Sequence, residues 1–243
     1  MSPRIGPRSP ERVELLRWAA GIGAVTAEAL AYRDASSLAS ARARLSAAER
    51  DGLLRRHRLL LDRPALYTVA RSGMRAAGVD GIEPCRVSAG SAEHMIACAL
   101  VAAELHRRYP DQIVIGEREL RMRERRAGAP LASAAISWSA ERVLMHRPDL
   151  AVLPSTEEGR GAIAVEVELT IKAPSRLRAI CRAWARARHV GGVLYLAPAP
   201  VERALLRAIH AAQAEERIVV LPLGALGQGP AGAPSARSIP SGL

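Results

Sequence analysis

Phenylalanine is absent from this 243-residue chain, and aromatic residues together make up 3% of it. Hydrophobic residues still account for 49%, so a core can form, but it must be built from Leu, Ala, Val and Ile. Cysteine is sparse. Cys85, Cys98 and Cys181 stand far apart with no Cys-x-x-Cys pair. That spacing argues against a zinc site or a disulfide framework and fits buried free thiols in a reducing cytoplasm. No apolar run approaches about 18 residues, so no membrane span is expected. The opening MSPRIGPRSPERVELL lacks the apolar core of a signal peptide, and the expected location is cytoplasmic. A Gly-rich phosphate loop is missing, as is a Ser/His/Asp or Cys/His pattern for nucleophilic catalysis. Lysine is nearly missing too. Of 35 basic residues, one is lysine, Lys172, and every other is arginine.

Basic charge is what the chain has in excess. The formal net charge is +11, and the basic residues spread through both halves rather than forming one tail. This favours a polyanionic partner, nucleic acid first. The length allows one large domain or two small ones.

The stretch from Arg147 to Lys172, RPDLAVLPSTEEGRGAIAVEVELTIK, organises the chain. Pro148-Asp149 opens a short apolar run, Leu150 to Leu153. A polar turn, Ser155 to Gly161, leads to a second run, Ala162 to Ile171, which carries Glu166 and Glu168. Neighbouring strands would bring Asp149, Glu166 and Glu168 together as a carboxylate cluster able to hold Mg²⁺ or Mn²⁺, hard cations that take carboxylate oxygens. Val165, Val167 and Leu169, on the opposite parity, fit a half-buried strand with a polar face. Lys172 follows the acids. Its compact ammonium shifts pKa readily, a property arginine cannot imitate.

Before that stretch, Ser9-Pro10-Glu11 starts a helix that Gly21-Ile22-Gly23 breaks. Thr26 caps a second, Ala27 to Arg33, and a third spans about Leu38 to Arg50 with Leu45 inward, ended by Asp51-Gly52. Two β-prone runs around Asp62-Arg63-Pro64 predict a hairpin. A helix from Thr68 to Ala77 stops at Gly78. Residues 78–90 read as a linker. Ser91 then caps a helix to about Tyr109, and Gln112 to Gly116 is a strand. The Arg-dense stretch to Arg126 is unassigned, and Ala127 to Ala135 reads as a mobile loop. Strands follow over Val143 to Leu153 and Ala162 to Thr170, then a helix from Pro174 to about His189. A buried strand from Gly191 to Ala197, a helix from Val201 to Ala214 and a last strand from Arg217 to Leu221 complete the order. Residues 1–9 and the tail from residue 223 read as disordered. The expected class is α/β, α+β overall.

Three short helices and a hairpin are the parts of a winged helix-turn-helix, and ARLSAAERDGLLRRHRLLLDRPALYTVARSG, Ala43 to Gly73, resembles the recognition-helix and wing region of that family. Residues 10–77 would then be a DNA-binding domain. The resemblance implies a third helix in the major groove and a wing beside the backbone. Ser36, Ser37, Ser40, Arg42 and Arg44 would lie on or near the DNA-facing side, and Arg55, Arg56 and Arg58 would line the wing. His57 reads as structural. The alternative is a basic surface on a protein-interaction module.

The αβββαβ order of residues 91–222 resembles the restriction-endonuclease-like PD-(D/E)XK nuclease core. By that resemblance Asp149 is the metal-binding Asp and Glu166 the second acid, with Glu117 or Glu119 able to supply an extra one. The whole chain is similar to the replication-relaxation family of actinobacterial mobile elements, through RPDLAVLP and AVEVELTIKAPSRL. The pattern wants lysine two residues after the Glu, and this chain has Glu168 there. An extended strand would hold Glu168 and Lys172 about 13 Å apart, so Lys172 is either a migrated catalytic lysine, if the chain bends at Thr170, or merely a phosphate contact. His146, beside Arg147-Pro148-Asp149, is better placed for the site than His94. Arg176, Arg178 and Arg182 share a helix face that could meet phosphates, and Trp184 reads as core. The expected function is DNA binding with metal-dependent cleavage or nicking in mobile-element or plasmid replication, transfer or defence. The alternatives are a non-catalytic DNA-binding regulator and a protein-interaction scaffold. Winged-helix proteins often dimerise, which leaves room for a homodimer, although no heptad seam is present.

Overall fold

The protein is described here by a computed structural model covering residues 9–138, 143–155 and 161–225. The chain is α+β, as expected, and divides into two compact units between Ala103 and Glu104. Residues 1–8 and 226–243, which hold most of the segments expected to be disordered, lie outside the described residues, as do 156–160 of the polar turn.

Local capping chemistry sets the first unit. Helix α1 (Pro10–Ile22) starts with proline in its first turn, and Ser9 Oγ accepts from the Arg12 N–H at 3.3 Å. The helix runs through Gly21 instead of breaking there. Gly21 is buried, and packing offsets a propensity penalty of about 1 kcal/mol. Thr26 Oγ1 accepts from Ala29 N–H at 3.1 Å to start α2 (Ala27–Arg33). Ser37 caps α3 (Leu38–Arg50) through the Ser40 N–H at 3.1 Å, and Leu45 points into the core.

Strands β1 (Leu54–His57) and β2 (Leu66–Val69) form an antiparallel hairpin with Arg55 opposite Thr68. Thr68 therefore belongs to a strand, and α4 (Arg71–Ala77) begins three residues later than expected. Gly78 ends it at φ 64°, in the left-handed region where glycine carries no Cβ penalty. Gly73 permits the contact between α4 and the hairpin, since a Cβ there would collide with the Leu53 carbonyl. Leu15, Leu16, Leu30, Leu45, Tyr67 and Met74 anchor the core. Helix α5 (Ala89–Arg108) follows and contains the point of division.

The second unit is built on a five-stranded sheet. Its strands are β3 (Ile113–Gly116), β6 (Leu150–Leu153), β7 (Ala162–Val167), β8 (Val190–Ala197) and β9 (Ile218–Pro222), adjacent in that order. Strand β6 runs antiparallel to both its neighbours, β3 and β7, while β7, β8 and β9 run parallel. Helix α7 (Pro174–Arg186) connects β7 to β8, and α8 (Ala199–Ala212) connects β8 to β9, as parallel neighbours require. Two elements depart from expectation. The Arg-dense stretch is a helix, α6 (Glu117–Ala127), and the supposed mobile loop leads into β4 (Ala134–Trp138), which pairs with β5 (Val143–His146) as a separate hairpin.

The most consequential correction concerns β7. It ends at Val167 rather than Thr170, and it lies in the middle of the sheet, buried rather than half-buried. Residues Ala164 to Glu168 are buried on both faces.

Candidate carboxylate site and basic surface

Antiparallel register brings Asp149 to β7. Leu150 pairs with Val165, and one position further along, Asp149 Oδ2 accepts from the Val167 N–H at 2.8 Å. The Asp149 carbonyl accepts from Glu117 N–H at 3.0 Å, so this loop is tied to the start of α6. Across β7, Glu166 pairs in parallel register with Tyr195 of β8.

Glu166 and Glu168 are each 5% exposed. Ala164, on the same strand parity as Glu166, packs with Leu177, Cys181 and Trp184 of α7, which places Glu166 beneath an apolar cover. His146 Nε2 lies 2.5 Å from Glu166 Oε1, and its ring meets Trp184 edge-on with centroids 5.5 Å apart. Burial pushes the Glu166 carboxyl above its usual range. The hydrogen bond to His146 and the nearby Lys172 oppose this, while the Asp149 charge adds to it. Burial likewise pushes the Cys181 thiol up to about 11, assisted by Glu166, and holds the Tyr195 phenol well above its ordinary value.

Glu168 follows the end of β7, its N–H still donating to the Leu196 carbonyl at 2.9 Å. The chain then bends, and Lys172 Nζ contacts Glu168 Oε2. The separation of an extended strand does not arise. Burial lowers the Lys172 pKa, against the attraction of Glu166 and Asp149 and with help from Arg176. The four residues singled out in the stretch thus share one site.

Other expected acids are engaged elsewhere. Glu117 pairs with Arg121, and Glu119 with Arg123 at 2.6 Å, both along α6. Glu124 went unnoticed in the sequence. It is buried and accepts from the N–H groups of Leu131, Ala132 and Ser133, from Ser133 Oγ, and pairs with Arg147 at 3.5 Å. It fastens the 131–133 loop, and nothing local in an Arg-dense run marks such a role. Tyr195 and Cys181 also went unremarked as neighbours of the site, since only the fold brings them to Glu166.

In the first unit, the expected DNA-facing residues divide. Ser37 is committed to capping α3, with Ser40 supplying the capped N–H. Ser36 is half-buried. Arg42 reaches Glu28 at 3.4 Å and Arg44 reaches Asp34 at 2.5 Å. Burial alone would raise the Asp34 carboxyl, but Arg33 and Arg44 outweigh it and hold it low. Arg33 lies over the Trp18 ring at 4.6 Å. Arg55, Arg56 and Arg58 are exposed on the hairpin arm, with Arg56 over Tyr67 at 6.0 Å. His57 bonds Thr68 Oγ1 at 2.9 Å, the structural role expected of it. Its pKa is lowered by burial and by Arg55. His94 bonds Cys98 within α5 at 3.4 Å.

Fold and geometry define a two-unit α+β protein in which one unit holds a buried carboxylate–histidine–lysine site and the other a basic hairpin. No family model matches the chain, and neither a curated protein nor a solved structure matches it.

Proposed function

We propose that this chain is a DNA-binding protein whose first unit is a winged helix-turn-helix and whose second is a PD-(D/E)XK nuclease-like domain capable of metal-dependent DNA cleavage or nicking. The observation that carries this reading is the return of Lys172 to the carboxylates: its ammonium lies at Glu168, beside Glu166 and Asp149. A cation thus reaches the position where the side chain at 168 is an anion. By the replication-relaxation resemblance, that activity would serve mobile-element or plasmid replication, transfer or defence.

Three carboxylates are the kind of donor that Mg²⁺ and Mn²⁺ take. Asp149 and Glu166 repel one another in a site that burial already makes unfavourable for charge, and a cation would relieve both effects. Asp149, Glu166 and Glu168 would hold Mg²⁺ or Mn²⁺, which when bound supplies Lewis acidity toward a phosphate and lowers the pKa of a coordinated water. The protein's own groups do the rest. The Val167 N–H orients Asp149, His146 orients Glu166, and Lys172 offers positive charge to an anion developing at the site.

A second reading, a DNA-binding transcription or replication regulator without cleavage, is favoured by the pairing of Glu166 with His146 and of Glu168 with Lys172. Each pair gives a buried carboxylate a partner from within the protein. Nicking of supercoiled and branched DNA in Mg²⁺ or Mn²⁺ separates the two. Metal-dependent cleavage that falls about 100-fold or more in both Asp149→Ala and Lys172→Ala supports the nuclease. Wild-type protein that binds DNA and cuts none of these substrates supports the regulator.

A further inference from the structure

We propose that the tip of the β1–β2 hairpin is an apolar wedge that enters duplex DNA between base steps, with Leu61 as the inserted side chain. The proposal rests on the DNA-binding reading of the first unit and extends it from phosphate contact to deformation of the duplex.

Leu61 is 90% exposed, more than any other large hydrophobic residue among those described. Its neighbour Leu60 does the opposite, packing against the cluster of Ala24, Leu66 and Ala92. Asp62 follows at φ 59°, a left-handed conformation that Asp tolerates better than most side chains. It turns the chain immediately after Leu61. On the returning arm, Arg63 pairs with Glu93 of α5 at 3.2 Å. The tip is thus held from both sides, by an apolar anchor before Leu61 and an ion pair after it, with the leucine turned outward. A lone exposed leucine is ordinary on a protein surface, so what singles out Leu61 is its place at the end of a basic arm, turned away from the unit while Leu60 packs inward.

The surroundings suit one kind of partner. The arm below the tip carries Arg55, Arg56 and Arg58. Between this arm and the α2–α3 side lies a cleft of about 710 Å³ whose charged lining is Arg42, Arg56, Arg58 and Arg63 against Glu28 and Asp62. Positive charge prevails along the approach and a single apolar side chain stands at the end. A duplex offers the matching pair of features, phosphates along its outside and stacked apolar base faces within. Inserting an apolar side chain partly unstacks a step and kinks the helix, a cost offset by the added apolar burial and phosphate contacts. One leucine is too little apolar surface to hold a lipid bilayer.

Insertion unwinds DNA, so the readout is the linking number of a closed circular plasmid relaxed by a metal-independent topoisomerase while the full chain is bound. Omitting divalent metal keeps cleavage out of the measurement. Wild-type protein at saturation is expected to lower the linking number in proportion to protein bound. Leu61→Ala is expected to bind about tenfold more weakly and, once saturating, to leave the linking number unchanged, while Leu61→Met restores the shift. Because Leu61 is in water, these variants keep the fold. Wild-type binding without a shift, or an equal shift from Leu61→Ala at equal occupancy, overturns the wedge and leaves DNA binding standing. Absence of any wild-type binding overturns both.

Discussion

Arg55, Arg56 and Arg58 stand in water on a two-stranded arm, whereas Glu166 stands inside a five-stranded sheet and Glu168 just past the end of its central strand, each 5% exposed. An exposed guanidinium keeps its hydration and asks nothing of the fold, so its presence says little about why it is there. A carboxylate taken out of water costs several kcal/mol unless it is paired or neutralised. The second unit carries that cost along and just beyond β7, at the centre of its sheet, and answers it with His146 at Glu166 and Lys172 at Glu168. Structural economy alone would place a Val or Leu at positions 166 and 168. Buried, mutually interacting titratable groups are the stronger indication of function, and the basic arm gains its meaning from what it could bind.

The comparison breaks most visibly at His146. In His146→Ala, Glu166 loses its hydrogen-bond partner and Trp184 loses an edge contact, while the carboxylate stays buried. We expect a loss of about 2–4 kcal/mol in the free energy of unfolding, read from urea denaturation. The double variant His146→Ala/Glu166→Gln should recover part of it, because the amide carries no charge to desolvate. A single-variant loss below about 0.5 kcal/mol would mean that Glu166 draws its support from elsewhere in the site.

The same carboxylate should give stability a pH signature. Its folded pKa is raised above the ordinary carboxyl value by burial, so the folded state holds the proton more tightly than the unfolded chain does. The stabilising contribution is complete at pH values below the ordinary carboxyl range and is lost as pH rises from there through the raised folded pKa. Wild-type protein should therefore lose stability over that interval relative to Glu166→Gln, with a slope no steeper than about 1.4 kcal/mol per pH unit for one group. Parallel stability curves for the two proteins across that interval would contradict the assigned direction.

Where the fold could be read from sequence, the signals were local. Ser9-Pro10, Thr26, Ser37 and Gly78 each act within one helical turn, so α1 to α4 were legible to within a few residues, and Asp149, Glu166 and Lys172 stood out by residue type and spacing. What escaped depends on distant partners. Alternation along AIAVEVEL suits a half-buried strand, and only the cover of Cys181 and Trp184 from α7 buries its polar face as well. The bend that returns Lys172 to Glu168 follows from β7 ending at Val167, which strand propensity continuing through Leu169 and Thr170 disguises. Helix α6 was hidden in charge. Its ion pairs at i,i+4, Glu117–Arg121 and Glu119–Arg123, were readable, but its buried Glu124 serves backbone N–H groups several residues further along.

Substitutions on the arm should give the smallest effect on folding and the clearest on binding. Arg55→Ala and Arg58→Ala each remove an exposed side chain and should change the free energy of unfolding by no more than about 0.5 kcal/mol, well below the effect at His146. If each arginine meets a phosphate, losing it should weaken binding about equally across unrelated DNA sequences and make the slope of log affinity against log salt shallower by about one. Two such losses at separated contacts should add, so the double variant would move the slope by about two. A slope that stays put while affinity falls would place these arginines in shape or packing rather than at phosphates. A stability loss approaching that of His146→Ala would remove the contrast between the two units, because the arm would then need its charges to fold.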